Sequence, residues 1–149
     1  MKKKLLSLTF ILLTLLSSCS ITNGSDLIYE DYNQLEEYQI TWKDLFSQSN
    51  SEYFVYIYSL SCLHCQNIKE EVISFVIGEK YPTYLIEYTK DIAISNNVED
   101  CIGSSSYVEV TIKGTPSLLQ IKNGYLILNV AGSKEILSVL DYYSWFYLQ

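Results

Sequence analysis

The tetrapeptide Cys62-Leu63-His64-Cys65 constrains this chain more than any other feature, because it separates two segments of opposite character. Before it, Tyr53-Phe54-Val55-Tyr56-Ile57-Tyr58 is β-branched and aromatic throughout, the pattern of a central strand buried on both faces. After it, Ile68, Val72, Phe75 and Val76 fall at helical spacing, with Lys69, Glu70 and Glu71 on the other side and Gly78 as the stop. Cysteines at i and i+3 meet in a small ring without unwinding a helix. A CxxC alone is ambiguous among a redox site, half of a zinc site and a structural bridge. Joined to a strand upstream, a helix downstream and the later Gly114-Thr115-Pro116-Ser117, it reads as a thiol–disulfide exchange site.

The first residues stand outside the fold. Met1-Lys2-Lys3-Lys4 is a basic start, and the apolar run from Leu5 to Leu16 is short for a membrane span but suits a secretory signal. Leu16-Ser17-Ser18-Cys19 is similar to the lipobox of bacterial lipoproteins, in which the cysteine becomes the lipidated first residue. On that resemblance, residues 1–18 are a signal peptide, Cys19 is the lipidation site, 19–39 are a tether and lead-in, and 40–149 form one domain. The other readings of this stretch are an ordinary signal peptide or an uncleaved anchor. Cleavage removes three lysines and no acid, so the net charge moves from −7 to −10. The chain has no arginine, and this balance argues against nucleic acid and against electrostatic adhesion to anionic lipid. Membrane attachment is therefore expected through lipid on Cys19, at the extracytoplasmic face.

With Cys19 assigned to lipid and Cys62 and Cys65 to the motif, Cys101 is left over: a buried small hydrophobe, a free thiol or a regulatory partner. Export places the chain where disulfides persist, which favours a working redox pair over a zinc site. Zinc needs four ligands, and His64, between the two cysteines, is the only histidine. No metal and no cofactor are expected.

Along the rest of the chain, Asp26 to Gln39 reads as an irregular lead-in or a short first strand. Thr41 with Asp44 three residues on resembles a helix N-terminus, so Trp42 to Ser49 is expected to be a short helix. Tyr84 to Tyr88 is the next strand, and Asp91 to Ser106 a polar, weakly helical connection. Ser117–Ile121 and Tyr125–Val130 are two strands joined by Lys122-Asn123-Gly124, a strong hairpin signal. Gly132-Ser133 starts a last helix with Ile136, Leu137, Leu140, Tyr143 and Phe146 as its apolar stripe.

This order, helix–strand–CxxC–helix–strand–helix–Thr-Pro–strand–Asn-Gly–strand–helix, resembles the thioredoxin family from about Thr41 to Tyr147. The resemblance implies an α/β, thioredoxin-like fold with a central mixed sheet flanked by helices and with Pro116 in cis facing the cysteines. It further implies Cys62 as exposed nucleophile, Cys65 as resolving thiol, and Thr115 and Pro116 as the edge on which a substrate chain pairs. His64, immediately before the second cysteine as in the periplasmic disulfide-forming oxidases, is expected to stabilise the Cys62 thiolate by a hydrogen bond or a charge. The alternative is a surface histidine in a variable dipeptide. The chain departs from the family at three places: Ser61 stands where a tryptophan is common, Tyr56 where a buried acid often sits, and the stretch between Cys65 and Pro116, which contains Cys101, is longer than in a minimal thioredoxin. Glu52, Glu87 or a water are candidates to replace that acid. Tyr58 and Tyr107 are candidates for an apolar docking surface.

The function expected is an extracytoplasmic, membrane-anchored thiol–disulfide oxidoreductase. It exchanges disulfides with cysteine-containing exported proteins and is served by a membrane or extracytoplasmic redox partner, with the oxidant direction favoured. The competing reading is a non-catalytic accessory or binding lipoprotein, as in the bacteriocin-transport accessory group, with Cys62–Cys65 as a structural bridge.

Overall fold

The computed structural model describes residues 31–78 and 80–146. The expected signal peptide and the expected lipidation site at Cys19 lie outside the described residues. Tyr53 to Tyr58 lies within strand β1 (Glu52–Tyr58), which is buried on both faces as its composition requires. On one side β1 pairs in parallel with β2 (Thr83–Glu87), and on the other antiparallel with β3 (Ser117–Lys122). β3 continues into β4 (Tyr125–Ala131) through the Asn-Gly turn, where Asn123 at φ 51° and Gly124 at φ 80° take the two left-handed positions of a tight hairpin. The sheet order is β2-β1-β3-β4. With helices α1 (Leu63–Asn67), α2 (Lys69–Ile77) and α3 (Ser133–Phe146), this is a thioredoxin-like α/β fold with a mixed central sheet.

The alternation along β1 divides the core in two. Phe54, Tyr56 and Tyr58 face the helices, together with Cys65, Ile68, Val72, Ile136 and Leu140. Tyr53, Val55 and Ile57 face the other way, onto Trp42, Leu45, Ile92, Cys101, Val110 and Ile112. A bulge in the β3–β4 pairing skips Ile127, so Leu126 serves the second cluster while Leu128 and Val130 pack on the first.

Where it is described, the segment up to Gln39 is an irregular lead-in: two 3-10 turns, Tyr32–Gln34 and Glu36–Tyr38, followed by a single parallel bridge of Gln39 to Leu85. The structure departs from the sequence reading in three elements. The helix expected from Trp42 to Ser49 is one 3-10 turn, Trp42–Asp44. The Asp44 carboxylate accepts from the Thr41 backbone N–H at 3.3 Å and hydroxyl at 2.5 Å, but Trp42 and Leu45 then turn into the core instead of continuing the helix. The helix after the CxxC breaks at Ile68 (φ −120°, ψ 17°), whose side chain is buried. Between β2 and Pro116 there is no α-helix among the described residues. Short 3-10 turns at Val98–Cys101 and Tyr107–Glu109 and an Ile94–Ile112 bridge cover the sheet instead. The final helix keeps its predicted stripe, with Ile136 and Leu140 buried and Leu137 and Tyr143 packed beside them; the side chain of Phe146 lies outside the described residues.

Candidate active site

β1 ends at Tyr58, and the chain turns through Ser59-Leu60-Ser61 so that the Cys62 N–H meets the Ser59 carbonyl at 3.0 Å. Cys62 is thereby the N-cap of α1, half-buried, with its sulfur accepting the Cys65 backbone N–H at 3.2 Å. Cys65, one turn in, is fully buried. The three described cysteines are free thiols.

Opposite them lies the segment before β3. The Thr115–Pro116 peptide is cis, and the Cys62 thiol donates to the Thr115 carbonyl at 3.2 Å. Ser117 Oγ donates to the Gly114 carbonyl at 2.6 Å, and the Gly132 N–H takes the Pro116 carbonyl, tying this loop to the start of α3. The residues named from sequence as catalytic and substrate-binding, Cys62, Cys65, Thr115 and Pro116, are thus brought together from two loops 50 positions apart in the chain (Cys65 to Thr115).

The two thiols differ in acidity. Burial pulls the Cys62 pKa up, but bonds from Cys65, from Thr115 and from the backbone N–H groups of Cys65 and His64 outweigh it, and the net direction is down. Burial and the neighbouring Cys62 push Cys65 up to about 11. This is the division that exchange needs: one accessible thiol ready to ionise and one held back. The thiolate is stabilised by the side chains of Cys65 and Thr115 and then by local backbone N–H groups. α1 is only five residues long, which leaves little helix dipole to add.

His64 acts on Cys62 through its backbone N–H. Its imidazole is exposed, and its carbonyl receives the Ser133 hydroxyl at 3.0 Å, joining α1 to α3.

The missing acid has a different answer from either carboxylate proposed. Glu52 stands at the far end of β1, bonded to Lys122 at 2.9 Å and to Gln120 at 2.8 Å. Glu87 is exposed on β2, paired in register with Tyr58. Two buried hydroxyls stand by Cys65 instead. Tyr56 is buried in the same cluster as Cys65. Tyr32 donates to the Cys65 carbonyl at 2.8 Å and lies 3.2 Å from the Tyr56 hydroxyl. Sequence reasoning missed Tyr32, 33 positions before Cys65 in a segment without period; the Asp31 N-cap to a turn was the one local signal.

The docking surface is also redrawn. Tyr58 is 1% exposed and stacks into the core, and Tyr107 packs against the cluster on the opposite face. The exposed apolar side chains beside Cys62 are Leu60 and Leu63, the latter 71% exposed. A hollow of about 220 Å³ lined by Tyr88, Ile94, Gly114 and Thr115 adjoins the cis peptide.

No family model and no curated protein matches the sequence. Solved structures share the chain path at low identity. Thioredoxin f2 of Chlamydomonas reinhardtii is similar at TM-score 0.47 and 13% identity, covering 69% of this chain and 92% of that one. Mitochondrial thioredoxin 3 of Saccharomyces cerevisiae is similar at 0.43 and 14%, covering 69% and 92%. The thioredoxin of Plasmodium falciparum is similar at 0.43 and 17%, covering 70% and 97%. The likeness is loose, and the fold assignment stands on the strand order described above.

Proposed function

We propose that this chain is a thiol–disulfide oxidoreductase, anchored at the extracytoplasmic face of a membrane through lipid on Cys19, that donates disulfides to exported proteins. The observation that carries the chemistry is the half-exposed Cys62 of lowered pKa, backed by the buried Cys65 and facing the Thr115–Pro116 edge. A substrate thiolate attacks Cys62 of the Cys62–Cys65 disulfide, and Cys65 leaves and takes up a proton. The substrate's second thiolate then attacks the substrate sulfur of the mixed disulfide, and Cys62 leaves as thiolate. The substrate loses two electrons and the protein gains them; a disulfide-bearing redox partner at the membrane takes them away. A stabilised Cys62 thiolate is a good leaving group, which favours this direction.

The test is the equilibrium reduction potential of the Cys62–Cys65 pair against glutathione, in the soluble domain carrying Cys101→Ser. A value toward about −120 mV supports disulfide donation, and one near about −270 mV points to a reductase. A bridge that resists reduction below about −300 mV replaces exchange by a structural disulfide. Anchoring is tested separately: Cys19→Ala is expected to release the chain from the membrane fraction.

A further inference from the structure

Main-chain bonds fix the walls of the hollow of about 220 Å³ beside Thr115. Tyr88 is set by its N–H on the Tyr58 carbonyl at 2.7 Å. Ile94 is held from both sides: Ser95 N–H takes the Ile112 carbonyl at 2.9 Å, and Ile112 N–H takes the Ala93 carbonyl at 3.0 Å. Gly114 supplies bare backbone, where a Cβ would meet nothing within 4 Å. The hollow is therefore preformed, and none of its four lining residues carries a charge. Ile94, 54% exposed, comes from the long connection between Cys65 and Pro116.

The hollow and the candidate nucleophile lie toward opposite faces of the sheet. Tyr88 and Ile112 pack with Val55 and Ile57, whereas Cys62 packs with Phe54 and Tyr56. Thr115 borders both. It lines the hollow, and its carbonyl accepts the Cys62 thiol at 3.2 Å. A chain that pairs with the Thr115 main chain extends the sheet, and its successive side chains point to opposite faces. With the reacting cysteine aimed at Cys62, its immediate neighbours are aimed at the face of the hollow. Residues two positions away are not.

We propose that this hollow is a subsite for an apolar side chain immediately beside the reacting cysteine of an extended substrate polypeptide, with Ile94 as its specificity-determining wall. This rests on the exchange activity proposed above and names its substrate class: cysteines that adjoin leucine, isoleucine or a similarly bulky apolar residue. The occupant follows from continuity, because the residue on which the substrate main chain would pair also forms one side of the hollow. A charged neighbour would give up water there without meeting an opposite charge among the lining residues.

Thionitrobenzoate release tests this in the soluble domain carrying Cys65→Ser and Cys101→Ser, which keeps Cys62 as its reactive thiol. The probes are short peptides with two serines on each side of a cysteine that is held in a mixed disulfide with thionitrobenzoate. In further probes a single serine is replaced by leucine. The Cys62 thiolate attacks the peptide sulfur. The peptide–thionitrobenzoate bond breaks, the Cys62–peptide disulfide forms, and thionitrobenzoate leaves as the coloured thiolate. Leucine next to the cysteine, on one side or the other, is expected to raise the second-order rate constant by about fivefold, the scale of partly burying one such side chain. Leucine two positions away should leave it within about twofold of the serine parent. Ile94→Ser is expected to bring the gain below about twofold, and Ile94→Glu to replace it by a preference for lysine at the same position. Dithiobis(nitrobenzoate), which has no neighbouring residue, should react alike with all three proteins.

That pattern supports the proposal. No gain, a gain only from leucine two positions away, or a gain that survives in both Ile94 variants overturns it. If Ile94→Glu does not fold, Ile94→Ser decides by the same rule. Self-association of the domain that Ile94→Ser abolishes would give the hollow to a second copy of the chain and overturn it too. Failure of Cys62 to react even with dithiobis(nitrobenzoate) removes the exchange reading itself, and the proposal with it.

Discussion

The Tyr32 hydroxyl donates to the main-chain carbonyl of Cys65 at 2.8 Å, so the segment ahead of the central strand reaches into the redox turn. It is held there along its length. Gln39 Nε2 binds the Tyr32 carbonyl at 2.8 Å, Tyr58 donates to Gln39, and Ile40 N–H takes the Leu85 carbonyl at 2.9 Å. Tyr32 also packs its ring on Tyr58 at 4.6 Å between centroids. Residues 31–39 therefore build the floor of the candidate site as well as leading into the sheet.

Leu35, with no exposed surface in the helix-side core, measures how much the fold relies on this segment. Replacing a buried leucine by alanine costs about 2–5 kcal/mol through lost transfer energy and the cavity left behind. Leu35→Ala is expected to lower the urea midpoint accordingly, with an unchanged slope. A change below about 0.5 kcal/mol, typical of surface positions, would mean that the segment is not packed in solution.

Cys62 should alkylate as a thiolate well below the pH at which a free thiol reacts. Iodoacetamide rates in a Cys65→Ser, Cys101→Ser background are expected to reach half-maximum below about pH 8.5, the ordinary cysteine value. With the Cys65 thiol replaced, the bonds that remain as cause are those from the Thr115 side chain and from the backbone N–H groups at the α1 N-cap. A His64→Ala chain keeps its backbone N–H, so most of the depression should survive. A midpoint returning to the free-thiol value in that variant would put the imidazole in charge.

Cys101 sits on the other side of the sheet from Cys65, 4% exposed, with its thiol donating to the Val98 carbonyl at 2.9 Å. Asn129 Nδ2 also approaches its sulfur at 3.3 Å. A serine can keep both bonds, so Cys101→Ser is expected to cost no more than about 1.5 kcal/mol. The pH profile of Cys62 alkylation in a Cys65→Ser background should be the same with Cys or Ser at position 101. A shifted profile would show communication through the sheet.

What could be read in the sequence follows from where short-range chemistry decides. The strand at Tyr53–Tyr58, the Asn123-Gly124 hairpin and the stripe of the last helix carry their own period or turn residues, and each is present. The cysteine turn and Thr115-Pro116 were legible as motifs, and their meeting followed from the family resemblance. Elsewhere tertiary packing overrode local pattern. Trp42 and Leu45 have helical spacing but are drawn into the core below β1, which ends the turn at Asp44. Ile68 continues the apolar stripe and is buried, yet its backbone (φ −120°, ψ 17°) leaves the helical region and divides the helix in two. Tyr32 carries no periodic signal, because its role is a single long-range bond. Tyr58 looked available for docking because an all-apolar strand gives no indication of which end is covered.

The opposite shifts of the two thiols predict a stability maximum in the reduced protein. The folded Cys62 pKa lies below its unfolded value, so as pH rises toward about 9 the unfolded chain holds the proton that the folded one has lost. Folding is therefore increasingly favoured over that range. Cys65 behaves oppositely. Its folded pKa is about 11 against an ordinary 9.0, so between these pH values the folded state keeps a proton that the unfolded state has released, and stability falls. The disulfide form has neither titration. Burial, the largest cause of the raised Tyr32 and Tyr56, acts in both forms, and the smaller part due to the cysteines adds to the fall in the reduced form. Urea midpoints of the reduced minus the oxidised domain, taken from pH 7 to 11 with Cys101→Ser, should therefore rise, turn over near about pH 9 and fall. A monotonic difference would mean that the two thiols do not divide their acidity as the geometry around Cys62 and Cys65 requires.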